Sequence, residues 1–209
     1  MVVKFEKSSY RKFAKEKLRK IIKFRAKSFS YKINNELLNL IKHLKVRNVL
    51  IFTPLAYEPD LLKLRRKLSK NHNIFIPFMV DKSLKMVKLR LPFKISKFNV
   101  KEANNSNAFL NCIDLAVIPV VGVDGNMARI GHGMGYYDRF FAELSYTPIT
   151  VFVQIEDFYI KEKICSLHDI TCDFYITPTK KYIKKVSYDR SCSRDRRWIH
   201  RDRRWISCG

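Results

Sequence analysis

No apolar run in this chain reaches the ~20 residues that a helix needs to cross a bilayer. The longest, around Ile113–Val123 and Ile149–Ile155, have the length of strands. The N-terminus is basic but has no apolar core, so a secretory signal is not expected. Cysteine occurs five times, at 112, 165, 172, 192 and 208, an odd set without a CxxC pair, and reduced thiols in a cytoplasmic protein are the simplest expectation. Glycine is scarce, six in 209 residues, and half of it sits at 131, 133 and 135. Acidic residues are also few: 19 against 42 lysines and arginines leave a net charge of +23. That surplus fits a nucleic-acid binder or a protein of polyanionic ligands, and equally a general lysine bias. Lysines run from Lys4 to Lys185 without forming one cluster, so charge alone does not choose.

What is present argues for a folded domain. Hydrophobic residues make up 46% and aromatics 13%, too much for a disordered chain. Apolar positions recur at helical spacing in Lys7–Leu44, which reads as a helix, a second helical run starting at Ile33 after "SFSY". "RNVLIFT" (47–53) reads as a buried strand, and Glu58–Ser69 as a helix with Pro59 in its first turn. Strands are expected at 73–80 and 84–91, with a polar, irregular stretch at 92–111. Cys112–Val123 reads as a strand covered on both faces. A helix is expected at 134–144, then strands in "ITVFVQI" and "DFYIT". Strands alternating with helices predict an α/β protein with a largely parallel sheet.

Residues 186–209 differ in kind. They contain no lysine, seven of the sixteen arginines, both tryptophans and the near-duplicate "RDRRWIHRDRRWISCG". The expectation is one domain over 1–185 and a disordered or non-native tail, with an arginine-rich recognition arm as the alternative.

The stretch "MARIGHGMGYYDRFF" (127–141) carries the chemistry. Glycines at alternate positions, after a buried strand and before a helix, let main-chain N–H groups approach an anion. The spacing is GxGxG, not GxGxxG, and no Gly-Lys-Ser/Thr follows, so neither a dinucleotide fold nor a P-loop is indicated. Cys165, His168 and Cys172 have zinc-like atoms but lack a fourth ligand. No G-x-S-x-G occurs.

"DLAVIPVVGVDGNMARIGHGMGYYDRFF" resembles the signature of the 5-formyltetrahydrofolate cyclo-ligase (methenyltetrahydrofolate synthetase) family. "KSSYR", "FTPLAYEPD" and "SLHDITCDFYIT" are similar to its opening, its glutamate loop and its closing motif, in that order. The resemblance spans about Lys7 to Thr179. It implies a three-layer α/β/α fold with a largely parallel sheet, like the NagB/RpiA/CoA-transferase-like fold. It implies an ATP- and Mg²⁺-dependent ligase of one-carbon folate metabolism that converts 5-formyltetrahydrofolate to 5,10-methenyltetrahydrofolate.

The formamide oxygen of that substrate is a very poor leaving group, so its phosphorylation by ATP must precede ring closure, and catalysis is mostly positioning and electrostatics. By the resemblance, Lys7, Arg11, Arg129, Ile130, Gly131, His132, Gly133, Met134, Gly135, Tyr136 and Tyr137 bind ATP, with Arg129 and Tyr137 catalytic. Thr53, Glu58, Phe98, His132, Gly133, Met134, Gly135 and Tyr136 meet the folate, with Glu58 on the donor-rich pterin edge. On residue patterns alone Glu58 is as readily a helix N-terminal acid, and the Lys7–Arg11 pair a solvated face. Asp138 and Asp169 are the Mg²⁺ candidates, with Asp173 as a weaker alternative. His132, Met134 and Phe78 depart from the common pattern. Small-molecule partners (ATP and a folate, possibly polyglutamylated), a monomer and no membrane are expected. The rival is a nucleic-acid-binding protein on an α/β scaffold without catalysis.

Overall fold

The computed structural model describes residues 6–80, 83–95, 101–103, 112–184 and 205–208. Its centre is an eight-stranded sheet whose strands are β1 (Asn48–Leu50), β2 (Asn73–Val80), β3 (Ser83–Lys88), β6 (Leu115–Pro119), β9 (Ile149–Val153), β10 (Phe174–Ile176), β11 (Lys181–Lys184) and β12 (Trp205–Cys208). The spatial order is β12-β11-β10-β9-β6-β1-β2-β3. Neighbours run parallel from β2 through β1, β6 and β9 to β10, while β3 and β11 turn back antiparallel on their partners.

Two small hairpins lie outside it: β4 (Phe93–Ile95) with β5 (Lys101–Ala103), and β7 (Gly122–Val123) with β8 (Arg129–Ile130). The first stands in the stretch expected to be irregular. Phe98, the aromatic assigned to the folate, lies outside the described residues.

Period-two alternation builds the layers. Val49, Ile51, Val117, Val151, Val153, Phe174 and Ile176 face one apolar cluster. Leu50, Ile118, Phe152 and Tyr175, the residues between them, face the other. Helix α1 (Lys7–Leu44) covers the first face, packing Ala14, Leu18, Ile33, Leu37 and Ile41 at helical spacing. Helix α3 (Tyr136–Ala142) covers the second through Phe140. The chain is therefore a mixed α/β fold with a mostly parallel central sheet, as predicted.

Three elements differ from the sequence reading. The expected break at "SFSY" is absent, and α1 is one helix of 38 residues, about 57 Å long at 1.5 Å per residue. Its Ser30 is buried and its Oγ accepts the Asp60 N–H, so the polar residue serves a tertiary contact instead of ending the helix.

The helix expected from Glu58 starts later, as a 3₁₀ turn at Leu62–Leu64 running into α2 (Arg65–Leu68). Asn34 Nδ2 donates to Asp60 O and the Glu58 carboxylate accepts the Leu55 N–H, which keeps 55–60 a structured loop. The third difference is in the tail, which was left out of the fold: its Trp205–Cys208 pairs in parallel with β11 as the sheet's last strand. No helix among the described residues is long and apolar enough to cross a membrane.

Candidate active site

Five parallel strands end on one side of the sheet, and the loop that leaves β6 there carries the glycines. A crevice outside the carboxyl ends of parallel strands is where open α/β sheets bind ligands. Here the cleft encloses about 420 Å³. Its walls include Thr53 after β1, Glu58 from the following loop, Arg129 and His132 from the glycine stretch, and Tyr136 and Tyr137 from the start of α3.

Arg129 is the keystone of this arrangement. Its side chain is 5% exposed. Nε and Nη2 both donate to Pro119 O at 3.2 Å, and Nη1 reaches Asp138 Oδ2 at 3.2 Å. The guanidinium lies 5.0 Å from the centre of the Tyr137 ring, a desolvated cation–π contact. Gly131 is glycine because of it: a Cβ there would come within 2.3 Å of Arg129 Nη1. Gly133 and Gly135 serve the backbone instead, with φ of 112° and 65° that side chains resist.

Helix α1 reaches this loop with three cations spaced four residues apart, on one face. Lys7 Nζ donates to Asp169 Oδ2 at 2.6 Å, Arg11 Nε to Gly131 O at 2.7 Å, and Lys15 Nζ to His132 O at 3.0 Å. Lys7 and Arg11 are thus beside the glycine stretch and not a solvated face. Lys15 was missed, although the same 7–11–15 spacing signals it.

Glu58 is buried, with Oε2 accepting the Leu55 N–H at 2.9 Å. Burial pushes its carboxyl up to about 7, against the opposing pull of the Leu55 N–H and Arg129. Across the cleft His132 is held neutral: burial first, then Arg129, Lys15 and Arg11, bring its imidazole down to about 4. The Tyr137 hydroxyl is raised above its ordinary value by burial and then by Glu58, so it stays protonated. Tyr57, not singled out from sequence, packs its ring 5.5 Å from that of His132. Met134 lines the cleft and is exposed, and Ile130 is buried in the core behind it.

Asp138 and Asp169 come to one corner, because Asp138 Oδ1 accepts the N–H of Ile170. Two hard carboxylates suit Mg²⁺, which takes one or two of them and completes its shell with phosphate and water. Each already holds a cation, Arg129 or Lys7, and among the described residues no group of three or more His, Cys, Asp or Glu gathers to form a protein cage. The donor set therefore fits a nucleotide-borne magnesium and not a dedicated metal centre.

Asp173 is elsewhere. Its Oδ2 accepts the Thr150 N–H where β9 begins, at the amino ends of the parallel strands. Cys165 and Cys172 do not converge with His168 on a metal, and burial pushes the Cys165 thiol up to about 12. Sequence reasoning also gave no role to Asp124, which is fully buried. Oδ1 takes the N–H groups of Asn126 and Ala128, and Oδ2 those of Ile164 and Cys165, tying the β7–β8 turn to the segment that presents Asp169.

The family model for the 5-formyltetrahydrofolate cyclo-ligase family matches residues 3–167 of this chain. A 5-formyltetrahydrofolate cyclo-ligase from Mycoplasma genitalium is 28% identical over 138 residues, covering 65% of this chain and 76% of that protein. The NMR structure of Aquifex aeolicus 5,10-methenyltetrahydrofolate synthetase superposes with a TM-score of 0.71, over 90% of this chain and 96% of that one, at 23% identity. A 5,10-methenyltetrahydrofolate synthetase from Mycoplasma pneumoniae gives a TM-score of 0.61 at 18% identity, over 82% of this chain and 98% of that one. At these identities the two superpositions speak for the fold.

Proposed function

The chain belongs to the 5-formyltetrahydrofolate cyclo-ligase family, and from that membership we propose that it closes 5-formyltetrahydrofolate to 5,10-methenyltetrahydrofolate with ATP as co-substrate. The observation that carries the reading is the buried Arg129 guanidinium beneath a glycine loop, facing a buried carboxyl, Glu58, across one cleft. A cation with its hydration already removed costs no reorganisation when phosphate charge develops beside it.

The formyl oxygen attacks the γ-phosphorus, ADP leaves, and the N5 formamide becomes an iminium phosphate. The N10 amine then adds to the activated carbon, its proton is lost, and inorganic phosphate departs. Main-chain N–H groups of 131–137, with Arg129, Lys7 and Arg11, hold the triphosphate in line with the formyl oxygen. Tyr137, protonated at working pH, donates a hydrogen bond and steadies Arg129 through its ring. Glu58 accepts from the N–H edge of the pterin, with Thr53 and Tyr136 beside it. Mg²⁺, when bound, is held by Asp138 and Asp169 and supplies charge neutralisation at the phosphates. The protein acts on small molecules as a cytoplasmic monomer.

The test is absorbance of the methenyl product in the presence of ATP and Mg²⁺, for the wild type and for Asp138→Ala. Product from the wild type and at least a hundredfold less from the variant is the expected result. No product from the wild type across a range of pH and magnesium would overturn the assignment.

A further inference from the structure

Among the described residues, two buried side-chain polar atoms have no hydrogen-bond partner, and one of them, His132 Nε2, stands in the cleft. It lies 3.7 Å from Glu58 Oε1. That is too long for a hydrogen bond, and it is no ion pair, because the imidazole is neutral near pH 7. A buried polar atom left unpaired is costly, so its partner is to be sought in another state of the site.

We propose that His132 is a positioning residue for the folate: once the pterin is seated, its Nε2–H donates to Glu58 and holds that carboxyl in the ionised, acceptor form the ring requires. The inference rests on the cyclo-ligase reading given above.

Three observations support it. Closing the 3.7 Å gap to the ~2.9 Å of an N–H···O bond takes less than about one ångström. The residue is carried between Gly131 and Gly133, and Gly133 has the permissive φ of 112°. Glu58 also needs such a donor, because burial leaves it half-protonated near neutrality.

The other groups facing the pair do not replace it. Arg129 pulls Glu58 toward its charged form, yet its own N–H groups are engaged by Pro119 and Asp138. Arg11 and Lys15, from α1, act on His132 and favour its neutral form. Arg19, from the same helix, and Glu58 act on Tyr57, while Tyr137 stands beside Glu58 from α3.

The discriminating pair of variants is His132→Gln and His132→Asn. A glutamine amide reaches the Nε2 position, whereas an asparagine amide stops one bond short. The readout is ADP release against pH, giving kcat/KM for 5-formyltetrahydrofolate at saturating ATP, together with KM for each substrate.

The wild type should lose kcat/KM as pH falls and Glu58 takes up its proton. His132→Asn should move that acid limb upward by about one unit, equivalent to a tenfold rise in folate KM below pH 7 with ATP KM unmoved. His132→Gln should bring the limb back. An unmoved limb in His132→Asn, or equal displacement in both variants, overturns the inference while leaving the reaction intact. A wild type that releases no ADP in response to the folate overturns the functional reading instead.

Discussion

Gly131→Ala tests whether Arg129 must stay where it is. The new Cβ would fall 2.3 Å from Nη1 and 2.8 Å from Cζ of that side chain. A flexible arginine on a surface would step aside at little cost, but this one is buried and bonded on three nitrogens. Moving it gives up the Asp138 bond and at least one bond to Pro119, and a hydrogen bond to a charged group is worth about 1.5–3 kcal/mol. A combined loss of about 3 kcal/mol in the placement of the cation corresponds to roughly a hundredfold fall in kcat/KM. The assay is methenyl product formation, with near-ultraviolet circular dichroism to establish that the variant folds. Gly125→Ala is the control: its Cβ would meet the Lys161 carbonyl oxygen at 2.0 Å, away from Arg129, so it should lower Tm through the backbone. If Gly131→Ala keeps its activity within threefold of wild type, Arg129 does not depend on the space that glycine leaves, and the account of the site fails at its centre.

Two further outcomes are expected. The folded-state carboxyl of Glu58 is raised from 4.5 to about 7, so its contribution to stability is present below 4.5 and is lost as pH rises through 7. His132 runs the other way, lowered from 6.5 to about 4, with its contribution present above 6.5 and lost as pH falls through 4. Glu58→Gln should therefore leave a Tm that climbs with pH between 4.5 and 6.5, where the two slopes oppose each other in the wild type; identical Tm profiles for the two proteins would contradict the burial of that carboxyl. Lys7→Gln removes the 2.6 Å bond to Asp169 and a cation assigned to the nucleotide, so KM for ATP should rise about tenfold with folate KM unchanged. An equal rise for both substrates would place Lys7 outside the nucleotide site.

The glycine stretch was legible because a GxGxG turn between a buried strand and a helix allows few other uses. The sheet was legible where Val49–Ile51 and Val151–Val153 alternate between two covered faces. Less visible were features in which a polar side chain serves a distant partner. Ser30 and Asn34 look like helix breakers until Asp60 is brought beside them. Lys181 marks β11 as a poor strand until Glu36 pairs with it at 2.9 Å. Lys15 carries no local sign that its partner is a main-chain oxygen 117 positions on. The reading of Glu58 as a helix cap failed for the same reason: its carboxylate turns back on Leu55, and the helix begins only at Leu62.

The span from Lys7 to Asp169 has a consequence for biosynthesis. A ribosome adds about 5–20 residues per second, so the 162 positions between these two residues take roughly ten to thirty seconds to translate. For that time the basic flank of α1 is already outside the exit tunnel while the carboxylate and glycine stretch that engage it do not yet exist. The nascent helix must therefore be kept from other polyanions, the ribosome's own RNA among them, until the last third of the chain arrives to claim it.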